Sequence, residues 1–157
     1  MSEPHLFECR LHWTGAEQGP TRSYEGYSRE YKIEFDGKSP LHGTAAPQFL
    51  GDGSLHNPED MLVAALSACH CLSYLAICSR SEVVVTAYED RAVGTMRVVD
   101  KVLRFTEVLL RPRVTVAAGA DVDRARRIHD KAHHECFISA SVNFPVRNEP
   151  TIVVAGD

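Results

Sequence analysis

Five cysteines and eight histidines supply the reactive side chains of this 157-residue chain, and their spacing is uneven. Cys69, Cys71 and Cys78 fall within ten residues in "HNPEDMLVAALSACHCLSYLAICSR", His56 to Arg80, with His70 between the first two. Cys136 follows in "KAHHECFIS", and Cys9 stands near the start. An odd, crowded set of this kind is no disulfide framework of an exported domain; such thiols serve packing, metal binding or catalysis. For Cys69 both packing and thiol chemistry are open. It shares a helical face with Leu62, Leu66, Ser73 and Ala76, as a small hydrophobe would. A reactive Cys69 in mid-helix gains little from the helix dipole and needs a cation from elsewhere to favour its thiolate.

Arg29 is the candidate cation. In "YSREYKIEF" it alternates onto one face with Tyr27, Tyr31, Ile33 and Phe35, the face expected to point inward. A buried guanidinium keeps its proton and needs an anion, so Arg29 either snorkels, pairs structurally or serves a carboxylate or thiolate. Arg22 is the alternative arginine. Cys136 is expected in the last turn of a second helix, where the dipole disfavours a thiolate and suits a thiol that stays protonated until it reacts. Cys9, Cys71 and Cys78 read as packing. Metal is a competing use: His129, His133 and Cys136 recur at i, i+4 and i+7, with Cys69 or His70 able to complete four ligands. The short knuckle pairs of a structural zinc site are absent, and the two sulfurs of "CHC" diverge on a helix.

Composition narrows the classes. A net charge of −4 lacks the basic face that nucleic acid requires. The longest apolar run is interrupted or bounded by Asp60, His70 and Arg80, so no membrane span is expected, and "MSEPHLFECRLHW" lacks an export pattern; a cytoplasmic, thiol-reducing setting is the simplest expectation. Neither a glycine-rich nucleotide loop nor a serine-hydrolase elbow is present.

These side chains need elements to carry them. Leu6–Trp13 and Tyr27–Phe35 read as strands separated by a loop, followed by a long turn-rich segment. Asn57 caps a helix expected to reach about Ser79, with Pro58 at its first position and Glu59 and Asp60 near the positive dipole end. Its apolar character extends beyond one stripe, so burial on most sides is expected. Two strand-rich runs, Glu82–Val99 and Lys101–Ala117, meet through Asp100–Lys101 as an antiparallel pair. A second helix starts at Ala120 or Asp121 and ends near Ile138; "SVNFPVR" and "TIVVA" close as strands. The fold class is α+β: a mainly antiparallel sheet with a long buried central helix and a second helix, one domain over residues 1–157. So apolar a helix exceeds what one modest sheet covers, and a twofold homodimer follows as an expectation.

"NPEDMLVAALSAC", with Cys69 twelve residues after Asn57, resembles the central helix of the OsmC/Ohr family of osmotically inducible and organic hydroperoxide resistance proteins. "AHHECFISASVNFPV" resembles that family's second cysteine motif, and the likeness covers roughly residues 10 to 155. Phe137 stands where many members have proline, and the segment before Asn57 holds no arginine, which leaves Arg29 at the early-strand position other members use. The resemblance implies an intertwined homodimer that reduces organic hydroperoxides without a cofactor. It implies Cys69 as the peroxidatic thiol, Cys136 as the resolving thiol, Glu59 as the active-site glutamate and an external dithiol as reductant. A metal-binding or thiol-redox sensing protein of the same fold is the alternative. Glu59 and Cys69 lie ten residues apart on one helix, about 15 Å. If both serve one site, two central helices must pack antiparallel across a dimer axis. Leu62, Leu66, Tyr27 and Tyr31 are then expected to wall the site, and His56 and His70 either line it or rest in solvent or core.

Overall fold

The computed structural model describes residues 3–156, which divide into two compact units, one up to Met61 and one from Leu62 onward. The first unit holds an antiparallel sheet of β1 (Arg10–His12), β2 (Tyr31–Glu34) and β3 (Leu41–Gly43), in that order. Tyr31 faces Gly43 across the β2–β3 pair, and a Cβ at Gly43 would stand 2.5 Å from the Tyr31 ring, so only glycine lets that ring lie flat across the neighbouring strand. β2 is shorter than the alternating pattern suggests: Tyr27–Glu30 are outside it, and Arg29 sits on the approach to the strand. From β3 the chain bridges to His56, where Thr44 N–H donates to the His56 carbonyl at 2.9 Å, and this aims it into the next helix.

That helix is α1 (Pro58–Arg80). Its start obeys the sequence signal: the Asn57 side-chain oxygen accepts from Asp60 N–H at 2.8 Å. It stops at a left-handed Glu82 (φ 58°), with Ser81 and Val83 N–H both returning to the Cys78 carbonyl.

In the second unit, β4 (Val85–Asp90) pairs antiparallel with β7 (Pro112–Val116), and β7 pairs parallel with β9 (Thr151–Val154). A separate sheet joins β5 (Val93–Val99) antiparallel to β6 (Val102–Leu110) and β6 parallel to β8 (Val146–Asn148). The β5–β6 turn is Asp100–Lys101, both left-handed (φ 51° and 65°), the two-residue loop whose twist matches that of the strands. Antiparallel pairing predominates as expected, but among the described residues it is spread over three sheets of three strands each, two containing a parallel pair, rather than one sheet. The β7–β9 pairing is possible because α2 (Val122–Glu135), capped by Asp121, lies between those strands as a crossover. One core cluster packs Tyr74, Ile77 and Cys78 of α1 against Ala125, Ile128 and Ala132 of α2 and Val114 and Val116 of β7. A second packs Leu66 on Val108, Leu110 and Val146.

Two expectations for α1 need correction. Its central stretch is, by length and composition, apolar enough to cross a bilayer, as the core helix of a soluble protein also can be, because Asp60 lies in its first turn and His70 lowers the average little. Nor is it buried on most sides. Leu66, His70, Tyr74, Ile77 and Cys78 are buried, while Ala64, Ala68, Leu72 and Ala76, at four-residue spacing, form an open stripe.

Candidate functional site

Cys69 is half-buried on α1 and Cys136 fully buried. Cys136 sits one residue past α2 as its C-cap, with extended backbone (φ −78°, ψ 107°), rather than inside the last turn. Leaving the helix turns its sulfur into the interior, where it accepts from Ser139 N–H at 3.4 Å. Cys69 lies near enough to this thiol to influence its titration. Burial, and then the contact with Cys69, push Cys136 up to about 11, so at neutral pH it is a protonated thiol. Desolvation and the neighbouring sulfur, rather than the helix dipole, are the causes. Both are free thiols.

Arg29 and Glu59 belong to the first unit. The guanidinium donates to the Tyr27 and Tyr24 carbonyls and lies over both rings, 3.9 Å from the Tyr27 centroid and 4.9 Å from that of Tyr24. Glu59 does not hold Arg29 within the chain: among the described residues Arg29 makes no carboxylate ion pair, and Glu59 Oε2 is buried without a hydrogen-bond partner. The reason is local, since the loop before β2 supplies two carbonyls that fix the guanidinium over the tyrosines. Tyr31 Oη is likewise buried and unpartnered, and burial followed by the charge of Glu59 raises its pKa. Trp13, Tyr27, Arg29, Tyr31, Thr44 and Pro58 line a cavity of about 310 Å³. Trp13 is fixed there by donating Nε1–H to the Ser28 carbonyl at 2.7 Å. Arg22, the alternative cation, is exposed.

The wall residues divide. Tyr27 and Tyr31 line the cavity as expected, whereas Leu66 is fully buried in a core cluster with Leu62 packed beside it. His129, His133 and Cys136 do not assemble into a ligand set; among the described residues no three His, Cys, Asp or Glu side chains stand together as metal ligands. His129 faces His70 instead, Nδ1 to Nε2 at 3.0 Å. His70 is thus a core histidine with a partner. Sequence reasoning missed this contact, although His129 shares the buried α2 stripe Ala125, Ile128, Ala132 that periodicity exposes. Trp13 was also missed as a wall residue.

The α+β chain thus carries a half-buried free thiol on its central helix and a buried one at the cap of another helix. Comparison with known proteins refines the class. The family model for OsmC-like proteins matches residues 51–150, and the chain belongs to that family. An OsmC-like protein of unknown function from Vibrio cholerae is 31% identical, with a TM-score of 0.85 over 96% of this chain and 100% of that one. The uncharacterized protein YmaD of Bacillus subtilis is 26% identical over 68% of this chain and 75% of its own length. An organic hydroperoxide resistance protein from Elizabethkingia anophelis, solved with thiocyanate bound, shares the fold at 16% identity, a TM-score of 0.71 and coverage of 98% and 99%.

Proposed function

We propose that this chain is a dithiol peroxidase that reduces organic hydroperoxides to alcohols. The supporting observation is a half-buried Cys69 on α1 near enough to the buried Cys136 to help hold that second thiol protonated. In the first step the Cys69 thiolate attacks the distal peroxide oxygen: the O–O bond breaks, sulfur is oxidised to Cys69–SOH, and the alkoxide takes a proton to leave as alcohol. In the second, Cys136–SH condenses with Cys69–SOH to form the disulfide and release water. An external dithiol then exchanges with the disulfide, restoring both thiols as it becomes oxidised. The reducing conditions of a cytoplasm would supply that dithiol.

The working unit in this proposal is a homodimer. The open Ala64, Ala68, Leu72 and Ala76 stripe offers α1 a close-packing face for a second α1. Antiparallel packing brings Glu59 toward Cys69 of the partner subunit, which the roughly 15 Å between the two residues on one helix forbids within a chain. Arg29, a cation without a carboxylate, then favours the thiolate and the developing alkoxide, and the cavity's aromatic walls favour bulky apolar hydroperoxides over hydrogen peroxide.

The test follows cumene hydroperoxide consumption with dithiothreitol as reductant. Wild-type protein turns over; Cys69→Ser is inactive; Cys136→Ser consumes about one equivalent and stops or slows. A Cys69→Ser variant as active as wild type refutes the proposal.

A further inference from the structure

His70 follows Cys69 on α1, and His129 lies two turns before Cys136 on α2. Their side chains are 1% and 0% exposed, and they meet Nε2 to Nδ1 at 3.0 Å. Tyr74, one turn along α1, stacks on the His129 ring at 3.9 Å between centroids and donates its hydroxyl to the Ala125 carbonyl at 3.1 Å. The rest of the buried α1–α2 contact is apolar, Ile77 and Cys78 against Ala125, Ile128 and Ala132, with a solvent-exposed Arg80–Glu135 ion pair at 3.6 Å at the helix ends. Apolar packing tolerates small slides and rotations, whereas a buried hydrogen bond has one satisfactory geometry.

The pair is a poor choice for stability alone. One proton bridges the two rings, and His70 Nδ1 and His129 Nε2 have no partner. In either tautomer of a neutral pair, one buried N–H therefore lacks an acceptor, a penalty that two aliphatic side chains would avoid. A contact retained at that cost between the helices carrying the two sulfurs points to a positional role. Sulfurs that bond across two elements tolerate little displacement, since a disulfide demands Cα atoms about 4.4–6.8 Å apart and a narrow torsion.

We propose that the His70–His129 hydrogen bond is the positioning element that holds the Cys136 sulfur in register with Cys69, and so sets the reduction potential of that pair. This rests on the dithiol reading above. Losing the bond lowers the effective concentration of one sulfur at the other, which makes the disulfide easier to reduce and slows its closure. Neither histidine touches substrate in this account; both act through the helices.

The experiment equilibrates full-length protein in glutathione redox buffers and quantifies the Cys69–Cys136 disulfide by alkylation and mass spectrometry, with a melting curve for each variant. His129→Phe keeps a ring over Tyr74 but removes the hydrogen bond; His129→Asn replaces Nδ1 with an amide atom at the same distance along the side chain. His129→Phe is expected to lower the disulfide equilibrium constant about tenfold, about 30 mV less negative, and His129→Asn to recover most of that. His70→Leu removes the same bond from α1 and gives the reading if His129→Phe does not fold. A disulfide equilibrium constant in His129→Phe or His70→Leu within twofold of wild type overturns the inference, as does a His129→Asn shift as large as that of His129→Phe. Oxidised wild-type protein without a Cys69–Cys136 disulfide would overturn the proposed function and this inference with it.

Discussion

Lowering the pH from 7 to 5 should destabilise this protein through its two buried histidines. His70 is held down to about 4, chiefly by burial and further by the charge of His133, with Asp90 opposing. His129 is held down to about 3 by burial, then by His70 and Arg126. Both values lie below the 6.5 of an unfolded histidine, so between about 6.5 and 4 the unfolded chain binds protons that the folded chain refuses. Stability is complete above that window and falls as pH drops through it. Integrating the two titrations from pH 7 to pH 5 gives about 2 kcal/mol for each histidine, or about 4 kcal/mol together, against a typical total of about 5–15 kcal/mol. The assay is urea unfolding at the two pH values, at fixed protein concentration with thiols kept reduced. His129→Phe removes one of the two titrations and should about halve the loss. A wild-type loss below about 1 kcal/mol, or an unchanged loss in His129→Phe, refutes the burial of a neutral pair.

Other substitutions probe the elements that carry the thiols. Asn57→Ala removes the acceptor of Asp60 N–H at the start of α1 and should cost about 1 kcal/mol by urea midpoint; a change near zero would mean the cap does not stabilise the helix. Glu82→Gly relieves a left-handed non-glycine residue just past α1 and should raise the melting temperature, with a gain of about 0.5–1 kcal/mol after the glycine's greater unfolded-state entropy is deducted. Tyr74→Phe keeps the ring over His129 but loses the bond to the Ala125 carbonyl, and should cost about 1 kcal/mol in the same unfolding assay.

What the sequence made legible is what local chemistry controls. Asn57 and Asp121 mark the starts of both helices because a short polar side chain before an apolar run has few other uses. Asp100–Lys101 reads as the turn between two apolar runs because each run is too long to continue as one strand. Strand direction is another matter: a parallel and an antiparallel partner present the same alternation, so the β6–β8 and β7–β9 pairings leave no local trace. Arg29 illustrates the same limit at the site. Alternation put it on a buried strand face, but strand pairing starts only at Tyr31, and two loop carbonyls rather than Glu59 accept its hydrogen bonds. The pairing of Cys69 with Cys136 that we propose was suggested only by family resemblance, since no local pattern joins residues so distant in the chain. The His70–His129 contact left a partial signal, a histidine on each of two buried helical stripes, without saying that the stripes meet.

The most direct measurement of the central claim is stoichiometric. Reduced protein is mixed with one equivalent of cumene hydroperoxide, alkylated within seconds, digested without reductant and mapped by mass spectrometry. The account predicts a Cys69–Cys136 disulfide as the dominant product, with Cys9, Cys71 and Cys78 alkylated as free thiols. Oxidation scattered among all five cysteines, or a dominant bridge that omits Cys69, would contradict it.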